Sequence, residues 1–136
     1  MIKIRGFIKY YSCVIFPLIT FIFCFLLNIK SCFLDISNAQ ATSLASIAAS
    51  FIGVLITILT IYLAVPKTEF IKKRLKASKH EHIYIFNILV GIIVLFASTM
   101  SWIFFENSTI LSLLFISGIS NIAIAIYYTF SLINLI

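Results

Sequence analysis

The chain has 136 residues, of which 62% are hydrophobic and 10% charged, with a mean hydropathy of +1.18. A soluble domain carries about 45–50% apolar and about 25% charged residues, and a chain this short exposes much of its surface in water. Ten basic residues against four acidic ones give a net charge of +6. This composition excludes an ordinary water-soluble fold and points to a bilayer as the solvent.

Four apolar stretches follow one another, each near the roughly 20 residues a spanning helix needs. They cover about 10–29, 41–65, 83–105 and 109–133, and none holds an acidic or basic residue in its interior. Transmembrane strands would alternate apolar and polar residues at period two, and these runs do not. The expected fold is therefore all-α: one polytopic domain of four transmembrane helices, with a basic loop over 66–82.

The first stretch follows Lys3, Arg5 and Lys9, as a signal peptide would, but it is long, contains Pro17 and lacks a small-x-small cleavage site before Cys32. It reads as a retained helix. Cys13 and Cys24 lie along it about 16 Å apart at about 1.5 Å per residue, too far to bridge or share a metal, so they read as small packing residues. Cys32 lies just beyond and is the one candidate for a disulfide between chains.

Charge orients the bundle, because short loops rich in Lys and Arg stay in the cytosol. Lys3, Arg5 and Lys9 precede the first helix; Lys67, Lys72, Lys73, Arg74, Lys76 and Lys79 lie between the second and third. Only Lys30 falls on the other side, with Asp35 and Glu106. Both termini are thus expected in the cytosol, with an outer loop near 30–40 and a tight outer turn at 105–108. Trp102 and Phe104 beside that turn suit an interfacial aromatic belt. Asn107-Ser108-Thr109 matches a glycosylation acceptor but lies too close to the membrane to serve as one.

In the second helix Ser43, Ser46, Ser50, Gly53, Thr57 and Thr60 recur at steps of three and four. Helices in lipid associate by close backbone approach and interhelical hydrogen bonds, so this small, hydroxylated face reads as a packing seam, within or between protomers. Alternatively, several copies line a hydrated path. Leu44, Ile47, Phe51, Ile52, Leu55, Ile56, Leu59 and Leu63 are left for lipid or bulky packing. The third helix has a similar, shorter seam, Asn87, Gly91, Val94, Ser98 and Ser101. The fourth has Ser117, Asn121, Ala125 and Thr129, with Gly118 alongside. An unpartnered amide in hydrocarbon costs several kcal/mol, so Asn87 and Asn121 must face protein or water.

The 66–82 segment reads PKTEFIKKRLKASKHEH, with Phe70, Ile71 and Leu75 flanked by its lysines and Arg74. Such a segment lies on anionic lipid or docks an acidic soluble partner. Nucleic acid is not expected, because the aromatic interleaving used to stack bases is missing. His80 and His82, two apart in a helix, point to different faces and have no third ligand nearby, so no metal or other cofactor is expected.

No ionisable group lies at membrane depth, where proton relays and most ion-coupled transporters need one. The chain is expected to be no enzyme but a self-associating membrane module that scaffolds a soluble effector or alters permeability. A holin-like or toxin pore, and a small transporter or channel subunit, are the alternatives. Four spans with a basic loop from Lys67 to Lys79 resemble, as a topology and composition pattern over the whole chain, the membrane subunit of the bacterial anti-phage system Kiwa. The resemblance implies a homo-oligomer in the bacterial inner membrane, in contact with lipid, and a soluble DNA-binding partner on its cytoplasmic face, docked at 66–82.

Overall fold

The computed structural model describes residues 2–31, 34, 36–64, 66, 68–71, 73 and 80–133. Among them are four long helices and no strand: α1 (Ile2–Ser31), α2 (Asn38–Ala64), α3 (His80–Phe105) and α4 (Ser108–Ile133). Each holds a stretch long and apolar enough to cross a membrane. The protein is all-α, with the four spans expected of a multi-pass membrane protein.

The helices start earlier than the apolar stretches because charge and polarity end a span without ending a helix. α1 begins at Ile2, taking in Lys3, Arg5 and Lys9, and lysine and arginine are good helix formers. α2 begins at Asn38 because Ser37 and Gln40 form a capping box. The Ser37 N–H donates to Gln40 Oε1 at 3.0 Å, and the Gln40 N–H donates to Ser37 Oγ at 3.4 Å. It stops at Ala64, two residues before Pro66, and the position before a proline is disfavoured in a helix. α3 closes on Glu106, whose φ of 49° is left-handed and whose N–H reaches the Trp102 carbonyl at 3.0 Å. Asn107 then caps α4, its Oδ1 accepting the Ile110 N–H at 3.0 Å. The tight turn is made of these two caps. At the same end Asn28 Oδ1 accepts the N–H of buried Leu34 at 3.0 Å, closing the passage from α1 towards α2.

α3 and α4 form an antiparallel hairpin at the centre. α2 packs mainly on α3 and α1 mainly on α4, so consecutive α1 and α2 lie on opposite sides of the hairpin without extensive mutual contact. The start of α1 and the end of α4 therefore lie at one end of the bundle. Leu95, fully buried, rests in the notch left by Gly118, where an added Cβ would lie 2.5 Å from Leu95 Cδ2. Ile88, Leu55, Phe115 and Tyr84 extend this core. Phe51 stacks on Phe115 at 6.2 Å, and Tyr62 meets Tyr84 edge-on at 5.1 Å. Burial is uneven: 44% of α4's spanning window is enclosed within the chain, against 11% of α2's.

Candidate functional site

The polar residues of the spans fall into two groups with opposite surroundings. The first is a buried amide cluster where α1, α3 and α4 meet. Asn87 Nδ2 donates to the backbone carbonyl of Asn121 at 2.9 Å. With the Asn121 amide turned so that its nitrogen faces oxygens, that nitrogen donates to Asn87 Oδ1 at 3.1 Å and to the Cys13 carbonyl at 2.9 Å. Its oxygen accepts the Gly91 N–H at 3.3 Å. Both asparagines are almost fully buried, so these bonds answer the desolvation cost of two amides in a dry interior. Gly91 leaves room for this approach, since a Cβ there would lie 3.6 Å from Asn121 Cβ and 3.4 Å from Leu55 Cδ1.

Pro17 explains why the Cys13 carbonyl is available. A proline inside a helix has no N–H to give the carbonyl four residues earlier, and that residue is Cys13. Asn121 donates in its place. One turn away, Ser117 Oγ donates to the Pro17 carbonyl at 2.9 Å. Two side chains of α4, four residues apart, thus bracket the interruption in α1. The Cys13 thiol is buried, with Sγ 3.8 Å from the Ile83 carbonyl. Farther along the hairpin Ser98 Oγ donates to the Leu111 carbonyl at 2.9 Å. Ser101 is buried but bonds within α3, to the Ser98 carbonyl.

Asn87, Gly91, Ser98 and Asn121 are therefore brought to helix contacts. Pro17 is a member of the cluster that the sequence reading passed over. Its signal was present, since a proline inside an apolar span obliges some other group to meet the freed carbonyl.

The second group is the α2 seam, and its placement corrects one half of the expectation. Ser43, Ser46, Ser50, Gly53, Thr57 and Thr60 do not pack into the core of the protomer; all are exposed, with Ser46 at the rim of a groove beside α3. Ala41, Ala48 and Leu55 are the buried positions, spaced by sevens, and partly buried Tyr62 continues the series. Every seam residue stands two positions from one of these, about 200° around the helix at about 100° per residue. The bulky set divides. Leu44, Phe51, Ile52, Leu55 and Leu59 pack into the bundle, while Ile47, Ile56 and Leu63 face out. Large side chains bury more contact area against the hairpin, which turns the small face outward.

The hydroxyls of this face bond their own helix. Ser43, Ser46 and Ser50 donate to the carbonyl four residues back at 3.0 Å, and Thr57 and Thr60 do so at 2.8 Å. No hydroxyl hydrogen is left over, so the face tolerates lipid or a dry protein contact equally. A Cβ at Gly53 would meet nothing within 4 Å. Beside the face, Ala45, Ser46 and Ala49 with Phe96, Met100 and Trp102 line a groove of about 610 Å³ between α2 and α3.

Of the basic segment, Lys73 is described, helical and exposed, next to Phe70, which is 68% exposed. Lys67, Lys72, Arg74, Lys76 and Lys79 lie outside the described residues, as does Cys32. Among the described residues, no three His, Cys, Asp or Glu side chains gather as metal ligands would. At the end of the bundle carrying this segment, Tyr84 from α3 meets Tyr62 from α2, and Thr129 Oγ1 from α4 donates to Tyr84 OH at 3.4 Å. Set against known protein families, curated proteins and solved structures, the chain matches none.

Proposed function

We propose that the protein is a non-enzymatic membrane module that self-associates through the outward face of α2 and holds an acidic soluble protein against its basic 66–82 segment. The end of the bundle that carries the chain termini and this segment then lies in the cytosol, the side to which nine of the ten basic residues are assigned by charge. The observation that carries the reading is the direction of the α2 face. Six small or hydroxylated residues over five turns point away from the chain's own core, and Gly53 at their centre is open. Lipid offers such a surface no better packing than a Leu-rich one, whereas a second helix approaches it closely at little polar cost. The absence of ionisable residues from the spans supports a module without chemistry of its own. An anti-phage membrane subunit in a bacterial inner membrane, bound to a soluble effector, is the role that the topology suits.

Photobleaching step counts in liposomes at graded protein density test this. Gly53→Leu and Ser50→Leu are expected to weaken self-association at least tenfold, equivalent to about 1.4 kcal/mol or more. Unchanged step counts in both variants would remove the reading. A pore along the same face is a second reading, favoured by one feature. With their hydrogens committed to the backbone, the hydroxyl oxygens turn only lone pairs outward, the polarity that replaces water around a cation. Liposome conductance that disappears on Thr57→Leu would select it over packing alone.

A further inference from the structure

We propose that the groove between α1 and α4 seats one anionic phospholipid, its phosphate at the amino-terminal end of α1 and an acyl chain along the groove.

Three observations carry this. The first is the shape of the groove. Ser12 and Phe16 of α1 and Ala123, Ile124, Tyr127 and Tyr128 of α4 line a trough of about 300 Å³. Phe16 and Tyr127 stand out from it, 57% and 68% exposed, while Tyr128 is buried and meets the Tyr127 ring edge-on at 5.6 Å. Ala123, small and exposed, leaves the trough open.

The second is the order of chemistry along α1. The helix runs from Ile2, and Arg5, Lys9, Ser12 and Phe16 follow one another at steps of four, three and four, which is one helix face. Lys9 is about 4.5 Å and Arg5 about 10 Å beyond Ser12 along the axis, at about 1.5 Å per residue. The face therefore passes from cation through hydroxyl to aromatic ring, the order in which a phospholipid passes from phosphate to hydrocarbon. Neither α1 nor α4 contains an Asp or Glu to neutralise the two cations.

The third is depth. All six tyrosines, Tyr10, Tyr11, Tyr62, Tyr84, Tyr127 and Tyr128, belong to this end of the bundle, and Trp102 belongs to the other. A tyrosine favours the headgroup level, where its ring is in apolar surroundings and its hydroxyl is wet. The groove thus opens where lipid phosphates lie and runs from there towards the hydrocarbon. A second copy packing through its own α1 would bring its cations to the same level, where like charges oppose it.

Quenching by brominated lipids reads the occupant. In a Trp102→Phe background, which removes the only tryptophan, Phe16→Trp reports from the groove and Ile22→Trp from an exposed position deeper on α1. Each is reconstituted with brominated phosphatidylglycerol or brominated phosphatidylcholine in mixed bilayers. At Phe16→Trp the anionic lipid is expected to be preferred at least about fivefold, the worth of about one cation near the surface. At Ile22→Trp no preference is expected. Arg5→Gln combined with Lys9→Gln should abolish the preference. Ala123→Phe, which fills the trough and leaves both cations in place, should abolish it as well, and Ala123→Leu is the smaller filling if Ala123→Phe does not fold. Equal quenching by the two lipids at Phe16→Trp overturns the proposal. So does weak quenching by both, as when a second copy covers the groove, or a preference that survives filling of the trough.

Discussion

The α3–α4 hairpin and α2 are built from the same materials to opposite ends. Both are long apolar helices with serines, threonines and a glycine at three- and four-residue spacing. In the hairpin, Asn87 and Ser98 send their hydrogens across to the neighbouring helix. In α2, the seam hydroxyls return theirs to their own backbone. The difference lies in what each side chain can do alone. A serine or threonine satisfies its single donor on the carbonyl one turn back, whereas an amide has two donors and an acceptor and needs partners from elsewhere. In a membrane interior an asparagine therefore indicates an inward face, and a hydroxyl leaves the direction open.

That contrast can be broken experimentally, most severely at the amide pair. Asn87→Leu keeps the branched outline but leaves one Asn121 amide hydrogen without its acceptor and deprives the Asn121 carbonyl of a donor. The expected loss is about 2–3 kcal/mol in reversible unfolding from bicelles, against less than about 0.5 kcal/mol for Ser50→Leu on α2. Equal losses at the two positions would undo the distinction. Gly118→Ala comes next, since its Cβ would fall 2.5 Å from Leu95 Cδ2 and 2.8 Å from Leu95 Cγ. Displacing a fully buried leucine is expected to lower stability by about 1–3 kcal/mol, while Gly53→Ala, in open space, should be neutral or slightly stabilising in the same assay. The finest comparison is Ser98→Ala with Thr57→Val. Only the first removes a bond between helices, so a difference of about 0.6 kcal/mol is expected.

The spans were legible in the sequence because a 20-residue apolar run without charge has few other uses. Asn87 and Asn121 were legible as inward-facing because hydrocarbon allows an amide no alternative. The heading of Ser43 to Thr60 was not, since back-bonded hydroxyls are at ease on either side. What decides it is the bulk of Leu44, Phe51, Leu55 and Leu59 against the hairpin, a competition between two faces that periodicity alone does not rank. Pro17 stood out only as an argument against a cleaved leader. Its role depends on residue 121, more than a hundred positions away, and local spacing carries no such information. The extra turns at the start of α1 were missed because hydropathy measures membrane depth, and a helix outlasts the lipid around it.

The separation of α1 from α2 has a bearing on how the chain is made. A ribosome delivers α1 and α2 to the bilayer first, and neither offers the other a contact surface worth having. They wait apart until the remaining two helices emerge and slot between them, so assembly is completed from the carboxyl end. During that interval the Cys13 carbonyl has no donor from either neighbour, and the first helix is best stabilised by the insertion machinery or by headgroup water. A nascent chain halted after α2 should therefore remain a pair of independent spans, and release of the last helix should be the moment at which the bundle forms.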